Sequence, residues 1–183
     1  MPNTIAYASL PSPLGTLWIA AGPRGLLRIT FAVDEAEFSF ELERVFGAAP
    51  TYDPEALEPV ITQLGEYFEG RRTEFDLPID LSYLTGFQRV VLEAVREVPY
   101  GEVQSYGEIA QAVGKPGAAR AVGGVMATNP FSIVIPCHRI VRSDGRHGEY
   151  AWRTMGASGA SYKELLLGLE SHHDEPGSHH AGR

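Results

Sequence analysis

The sequence predicts an α+β protein in which a strand-rich half precedes a mostly helical half. Short apolar runs separated by turn residues occupy residues 4–31, a pattern typical of strands. Capped segments with helical periodicity dominate after residue 84. The 183 residues are enough for one large domain or two small ones. We therefore predict an N-terminal domain over 1–84, a C-terminal domain over 85–170 and a disordered tail over 171–183.

The composition is that of an ordinary soluble globular protein, with 44% hydrophobic and 21% charged residues. No apolar stretch reaches membrane-spanning length, and Met1–Gly15 shows no signal-like pattern. The single cysteine permits neither an internal disulfide nor a cysteine-based zinc site. We therefore expect a cytoplasmic protein that is monomeric and has no membrane partner.

The first half is predicted to be a small scaffold of strands and two helices. Its three strands are expected at Thr4–Leu10, Leu17–Ala21 and Leu26–Phe31. Asp34 is a good N-cap for a helix through about Phe46. Asp53 followed by Pro54 fits the N-cap and first position of a second helix that ends at Gly70. No reactive side chains cluster here, so we expect this half to take no part in chemistry.

The second half contains the pattern of a helix-turn-helix. Thr85 could cap a helix from Phe87 to about Val95, and Ser105-x-x-Glu108 is a capping box that opens a short helix. Gly114-Lys115-Pro116 forms a tight turn before a further helix over Gly117–Ala127. A helix, a short glycine-containing turn and a second helix are typical of this motif.

The helix Gly117–Ala127 is unusual because most of its residues are glycine or alanine. Each interior glycine costs a helix roughly 1 kcal/mol relative to alanine. Small residues allow another backbone, of protein or nucleic acid, to come very close, and tight helix–helix packing is an equally common explanation. Arg120 is the one long cationic side chain on this smooth surface, which favours nucleic acid.

The nine residues Ile133–Val141 are the expected centre of the chemistry. Three β-branched residues predict a short buried strand, which Pro136 ends because proline donates no backbone hydrogen bond. Cys137 follows, next to a histidine and an arginine that would favour the nucleophilic thiolate. A lone cysteine is usually a small buried hydrophobe, but these neighbours argue for a reactive one.

The charge distribution permits a nucleic-acid partner although the net charge is −8. Residues 1–84 hold five Arg and thirteen acids, whereas residues 115–153 hold six basic residues and two acids. This local surplus could neutralise a few phosphates. A scatter of solvated surface charges would give the same count.

The last predicted helix carries a candidate acid. Ser161-x-x-Glu164 is a capping box that would start this helix, and Leu165, Leu166 and Leu169 would form its apolar face. Glu170 lies at the inner side of the helix end. Such an acid is usually solvated, but it could reach His138.

Together these residues resemble the O6-alkylguanine-DNA alkyltransferases, also called methylated-DNA–protein-cysteine methyltransferases. The resemblance rests on Pro136–Val141, reading Pro-Cys-His-Arg-Ile-Val, with Asn129-Pro130 upstream. Ser105-Tyr106 and the segment 118–123 have the family's spacing. The resemblance implies a ribonuclease-H-like N-terminal domain and a winged-helix-like alkyltransferase domain. It also implies DNA repair, by transfer of the alkyl group from O6-alkylguanine or O4-alkylthymine in double-stranded DNA to Cys137, once per molecule.

The resemblance further implies roles for individual residues. His138 and Glu170 would form a relay that removes the Cys137 proton through a water, with Asn129 as the hinge before the active-site turn. Arg120 would fill the gap left by a flipped guanine. The implied DNA contacts are Tyr106, Arg120, Ala119, Gly123 and Arg139. The implied guanine pocket is lined by Tyr106, Met126, Ile140, Tyr150 and Ala151.

No cofactor is implied, and residues 1–84 contain neither Cys nor His, so we expect no metal. The sequence departs from the family after Tyr150, where Lys163 arrives six residues late and Arg153–Ser158 is the simplest insertion. We expect this insertion either to form a lid or rim beside the alkyl group or to bulge into solvent. Two alternatives remain: a non-catalytic lesion-binding relative or DNA-binding regulator, and a thiol hydrolase that uses Cys137 and His138.

Overall fold

The computed structural model describes residues 4–146 and 159–171, and it confirms the α+β class. An amino-terminal part, residues 4–81, is built on a four-stranded sheet in the order β3–β2–β1–β4. The strands are β1 (Ala6–Ser12), β2 (Gly15–Gly22), β3 (Gly25–Thr30) and β4 (Thr51–Tyr52). The first three pair antiparallel, and β4 pairs parallel with β1.

The side chains of β2 alternate between the two faces of the sheet, and both faces are covered. Leu17 and Ile19 point into the main core, whereas Trp18 and Ala20 pack in a second cluster with Phe38. Helix α1 (Glu35–Phe46) lies on that second face, and α2 (Glu58–Phe68) packs on the first. The N-cap predicted at Asp34 is present, and the structure adds a capping box with Glu37 as its partner.

Helix α2 begins later than the sequence predicts. Its N-cap is Leu57, with a proline in the first turn, and it ends at Phe68. The Asp53 carboxylate accepts a hydrogen bond from the Ala56 N–H at 3.1 Å, so it closes a turn rather than capping the helix. The sequence Asp53-Pro54 is compatible with either a helix start or a turn. The buried contacts of Leu57 and Val60 favour the later helix start.

The carboxy-terminal part, residues 86–146 and 159–171, contains the predicted helix-turn-helix. Its helices are α3 (Gly86–Arg96), α4 (Tyr106–Ala112), α5 (Ala119–Ala127) and α6 (Gly159–Ser171). The cap predicted at Thr85 and the capping box predicted at Ser105 are both present, and Thr85 also forms a capping box with Gln88. A small parallel pair, β5 (Gln104–Ser105) with β6 (Ile140–Val141), places the start of α4 beside the end of the active-site turn.

The strand predicted after residue 132 is wrong. Ile133 and Val134 form a buried turn closed by a bridge between Ser132 and Ile135, and Ile133 has a φ of 75°. That left-handed conformation is unfavourable for a β-branched residue, so the surrounding structure must impose it. The β-branched run correctly indicated burial, but it could not distinguish a strand from a buried turn.

The two parts share one continuous core. The Ile29 N–H donates to the Pro130 carbonyl at 2.8 Å, and Ile29 and Phe131 form a parallel bridge that extends the edge of β3. The buried cluster runs from the sheet through α2 and α3 to the turn that carries Cys137. The active-site turn is therefore held by residues from both parts of the chain.

Helix α6 begins two residues before Ser161, so the predicted N-cap position lies inside the helix. The insertion 153–158 lies outside the described residues, as does the predicted disordered tail apart from Ser171. Within the described ranges, no helix is long and apolar enough to cross a membrane.

Candidate active site around Cys137

A single turn of 3-10 helix, Cys137–Arg139, presents the three reactive residues. It is entered through Pro136 and closed by a hydrogen bond from the Arg139 N–H to the Pro136 carbonyl at 2.9 Å. Successive side chains in a 3-10 helix are about 120° apart. Neighbours in sequence are thus directed to different surroundings, which corrects the expectation that both neighbours of Cys137 act on its thiol.

The Cys137 thiol is buried and protonated at rest. Burial raises the pKa of this thiol, and opposing contributions from the Asn129 side chain, the Lys163 charge and nearby backbone N–H groups do not cancel that effect. A thiol in this state needs a proton acceptor before it can act as a nucleophile. The site must therefore supply a base.

The Glu170 carboxylate is the centre of the surrounding hydrogen bonds. Its Oε1 accepts from His138 Nε2 at 2.6 Å, Tyr67 Oη at 2.7 Å and Arg139 Nη2 at 3.0 Å. Its Oε2 accepts from Arg139 Nε at 2.9 Å and from the Gly101 N–H at 3.2 Å. Burial alone would raise the pKa of Glu170, but the bonds and charges of His138 and Arg139 lower it to about 2. The carboxylate is therefore ionised.

The ionised carboxylate determines the tautomer of His138. A carboxylate can only accept, so Nε2 must carry the hydrogen and Nδ1 is left with a lone pair. Nδ1 is buried and has no hydrogen-bond partner among the described residues. Burial lowers the pKa of this imidazole more than Glu170 raises it. His138 is consequently neutral near pH 7, with its basic nitrogen available.

Arg139 does not lie on the surface, and the DNA contact predicted for it is wrong. Its side chain is 5% exposed, and two of its nitrogens bind Glu170. Nη1 donates to the Val98 carbonyl at 2.6 Å, and the guanidinium lies 5.5 Å from the Tyr100 ring centroid. The guanidinium neutralises a buried carboxylate and therefore cannot reach a phosphate.

Asn129 connects the end of α5 to the active-site turn. Its Nδ2 donates to the Ile135 carbonyl and its Oδ1 accepts from the Phe131 N–H, both at 3.0 Å. The same side chain lowers the pKa of the Cys137 thiol, against the larger effect of burial. The amide therefore fixes the backbone on both sides of the buried turn.

Lys163 belongs to this site, although the sequence analysis did not include it. Its side chain is fully buried and its Nζ donates to the Ile140 carbonyl. Burial lowers the pKa of Lys163 to about 8, and the neighbouring Cys137 side chain acts in the opposite direction when it is a thiolate. Its spacing from Leu166 and Glu170, three and seven residues on, puts it on the buried face of α6. That spacing was the signal available in the sequence.

Tyr67 is the second residue that sequence reasoning missed. It lies on the core-facing side of α2 with Val60 and Leu64, a pattern that indicates packing alone. Its contact with Glu170 spans 103 positions. No local pattern in the sequence could have indicated this contact.

The helix-turn-helix presents some of the predicted DNA-contact residues and buries another. Arg120 is exposed and Ala119 is half-buried, whereas Gly123 is buried against the protein. Gly123 therefore presents little surface of its own, and the DNA contact predicted for it stays a prediction. Gly124 is the exposed glycine, and a Cβ there would meet no atom within 4 Å.

The residues predicted for the guanine pocket are only partly described. Tyr106, the first residue of α4, is 8% exposed, and Met126 and Ile140 are buried in the core. Tyr150 and Ala151 lie outside the described residues. A separate cleft of about 570 Å³ reaches Pro136 and Arg139. Neither Tyr106, Met126 nor Ile140 lines it, so it is not the predicted pocket.

In the ranges 4–146 and 159–171, no group of three or more His, Cys, Asp or Glu side chains could hold a metal ion.

Comparisons with known proteins identify the family. The family model described as 6-O-methylguanine DNA methyltransferase, DNA binding domain, matches residues 86–172, and the corresponding ribonuclease-like domain matches residues 5–81. A methylated-DNA–protein-cysteine methyltransferase of Mycolicibacterium paratuberculosis is 40% identical over 92% of this chain and 94% of its own length. One of Mycobacterium leprae is 42% identical over 90% and 91%.

Solved structures give the same result. The crystal structure of Mycobacterium tuberculosis O6-methylguanine methyltransferase matches with a TM-score of 0.78 and 35% identity, covering 95% of this chain and 97% of that one. Mycobacterium tuberculosis OGT in complex with DNA matches with a TM-score of 0.77 and 36% identity, covering 91% and 93%. This chain belongs to the methylated-DNA–protein-cysteine methyltransferase family.

Proposed function

We propose that this chain repairs DNA by moving the alkyl group of O6-alkylguanine to the Sγ atom of Cys137. It is a methyltransferase of direct-reversal repair, and each molecule acts once because a thioether is not readily reversed. The observation that carries the assignment is the buried Cys137 beside a His138–Glu170 pair whose Nδ1 has a free lone pair. Family membership supplies the substrate class.

The reaction requires one proton transfer and one displacement. The proposed base is His138 Nδ1, which takes the thiol proton through a water molecule, while Glu170 stabilises the resulting imidazolium. Sγ then attacks the alkyl carbon in line, an S–C bond forms, and the C–O6 bond breaks. The electron pair of the broken C–O6 bond stays on O6 of the nucleobase, which takes up a proton at N1 and becomes guanine. Because the thiol supplies an equivalent proton, no cofactor is needed.

The DNA side of the proposal rests on the helix-turn-helix. Arg120 is exposed on α5, where it can enter the base stack once the damaged guanine is flipped out. Ala119 and Tyr106 are proposed to contact the DNA beside it. Asn129 is proposed as the hinge at the active-site turn. We propose that the guanine lies against Tyr106, Met126, the Ile140 backbone, Tyr150 and Ala151.

Two broader assignments accompany this function. We propose domains at 1–84 and 85–170, which the two separate family matches support. We also assign the protein to the cytoplasm, because its one cysteine must stay reduced to react.

The test is label transfer from a duplex that contains O6-methylguanine with a labelled methyl group. The wild-type protein should take up about one label per molecule, and Cys137→Ala should take up none. Duplex binding should be nearly equal in the two proteins, because phosphate contacts and not the thiol provide the affinity. Labelled Cys137→Ala would exclude the assignment, and continued turnover on small esters would favour a thiol hydrolase.

A further inference from the structure

The amino-terminal part contributes a side chain directly to the active-site hydrogen bonds. Tyr67 of α2 is fully buried, and its hydroxyl donates to Glu170 Oε1 at 2.7 Å. That oxygen is the one bound by His138 Nε2 at 2.6 Å. The tyrosine and the imidazole therefore share one acceptor atom.

The hydroxyl has a function that the ring alone does not explain. The ring packs against Phe68, Phe75 and Tyr100 at centroid distances of 5.4, 5.5 and 6.1 Å, and a phenylalanine would make the same contacts. Burial and the neighbouring carboxylate both raise the pKa of Tyr67. The hydroxyl therefore remains a hydrogen-bond donor throughout the pH range in which His138 titrates.

We propose that Tyr67 is a positioning residue for the reaction, holding Glu170 in place and setting how strongly that carboxylate holds the proton of His138. The inference rests on the proposed function, in which His138 is the base. A donor on Oε1 spreads the negative charge of the carboxylate. Removing the Tyr67 hydroxyl leaves more negative charge on Oε1 to stabilise the imidazolium of His138. His138 then becomes more basic and is protonated at a higher pH.

The other charged and titratable groups around the pair are known and do not change in the test. On the described elements packed there, they are Tyr100 before β5, Cys137 and Arg139 of the active-site turn, and Lys163 of α6. Arg139 binds both carboxylate oxygens, so Glu170 remains ionised without Tyr67. The shift should therefore appear in His138 rather than in Glu170.

The experiment measures the rate of single-turnover methyl transfer against pH, with protein in excess over an O6-methylguanine duplex. In Tyr67→Phe the acidic limb of this pH–rate profile, where protonation of His138 slows transfer, should move to higher pH by about half a unit to one unit. The rate loss should therefore grow as the pH falls. The matched control is Tyr83→Phe, which also removes a hydroxyl bonded at 2.7 Å, here to the Leu27 carbonyl away from the site. Its acidic limb should not move.

A second protein, with 3-fluorotyrosine at position 67, keeps the ring and strengthens the donor, so its acidic limb should move to lower pH. This arm decides the question if Tyr67→Phe fails to fold. An unmoved limb in either folded protein, or an equal shift in Tyr83→Phe, would overturn the inference. Absence of transfer by the wild-type protein would instead overturn the proposed function.

Discussion

Glu170 is a buried carboxylate that is stable only because every side of it meets a donor. An ionised carboxylate costs several kcal/mol to bury unless its lone pairs are satisfied. Here five hydrogen bonds from Tyr67, Gly101, His138 and Arg139 satisfy them. The same contacts that stabilise the charge also orient the imidazole for its proposed role as the base.

The stability of the protein should therefore depend on Glu170 ionisation in acid. Its pKa is lowered from 4.5 to about 2 in the folded state. A lowered folded pKa gives stability that is present above pH 4.5 and is lost as the pH falls toward 2. We expect Glu170 to account for a loss of about 2 kcal/mol between about pH 5 and about pH 3.

Urea unfolding of the wild-type protein and of Glu170→Gln at both pH values measures this loss. The glutamine variant is less stable throughout, but its free energy of unfolding should fall less with pH. His138 adds a loss of the same sign below pH 6.5, because its folded pKa is also lowered, and this loss is larger without Glu170, which raises that pKa. The same comparison between His138→Gln and the double variant His138→Gln, Glu170→Gln removes this contribution. Equal pH dependence in the two proteins would contradict the assignment.

Arg139 and Arg120 should respond in opposite ways to substitution. Arg139→Met leaves the Glu170 carboxylate without its cation, and breaking a buried pair costs about 3 to 5 kcal/mol. Thermal unfolding should show that loss, with no change in the salt dependence of duplex binding. Arg120→Ala is the matched substitution of an exposed arginine. Its free energy of unfolding should be unchanged, while repair of duplex DNA should become slower. A stable Arg139→Met protein with weakened duplex binding would instead support the prediction that Arg139 contacts DNA.

At the scale of elements, helix starts with local signals were predictable and those set by distant packing were not. The capping boxes at Asp34, Thr85 and Ser105 depend on residues three positions apart. The start of α2 and the turn at Ile133 depend instead on what packs against them. The same limit applies to Arg139, because sequence cannot show that its guanidinium is directed inward.

The exposed face of α5 yields a test of close approach to DNA. Gly124 lies on that face, and an added Cβ would meet no atom within 4 Å. Gly124→Ala should raise the free energy of unfolding by about 0.5 to 1 kcal/mol, as expected for glycine replaced in a helix. Repair of duplex DNA should nevertheless become slower, and slower still in Gly124→Leu.

The control for this test is Gly65→Ala in α2, which is equally free of contacts. It should gain similar stability and leave repair unchanged. Unfolding curves and single-turnover rates of both variants provide the comparison. Unchanged repair in both Gly124 variants would place the DNA on another face of the protein.

At the scale of the whole molecule, the two parts of the chain build one site. Phe131 extends the edge of β3, Asn129 fixes the turn, and Tyr67 reaches Glu170 from α2. The sequence predicted the nucleophile, the pairing of His138 with Glu170 and the helix-turn-helix, because these depend on local motifs and on family resemblance. It predicted only a scaffold for the first half, since a tyrosine on an apolar helix face indicates packing.

The basic surplus of residues 115–153 is smaller at the protein surface than the count in the sequence suggests. Of the six basic residues in 115–153, Arg139 is buried, and Arg142 and Arg146 both lie near Asp144, at 3.8 and 3.2 Å. Lys115 and Arg120 are the exposed cations of the helix-turn-helix itself. We therefore expect duplex binding with a shallow salt dependence.

Cys137 is expected to accept one alkyl group and to retain it. Intact mass spectrometry after incubation with excess O6-methylguanine duplex tests it most directly, with peptide mapping to locate the change. We expect a gain equal to one CH2 per molecule, confined to Cys137 and unchanged by more substrate. An unmodified protein, a methyl group on another residue, or more guanine restored in the duplex than there is protein would contradict this mechanism.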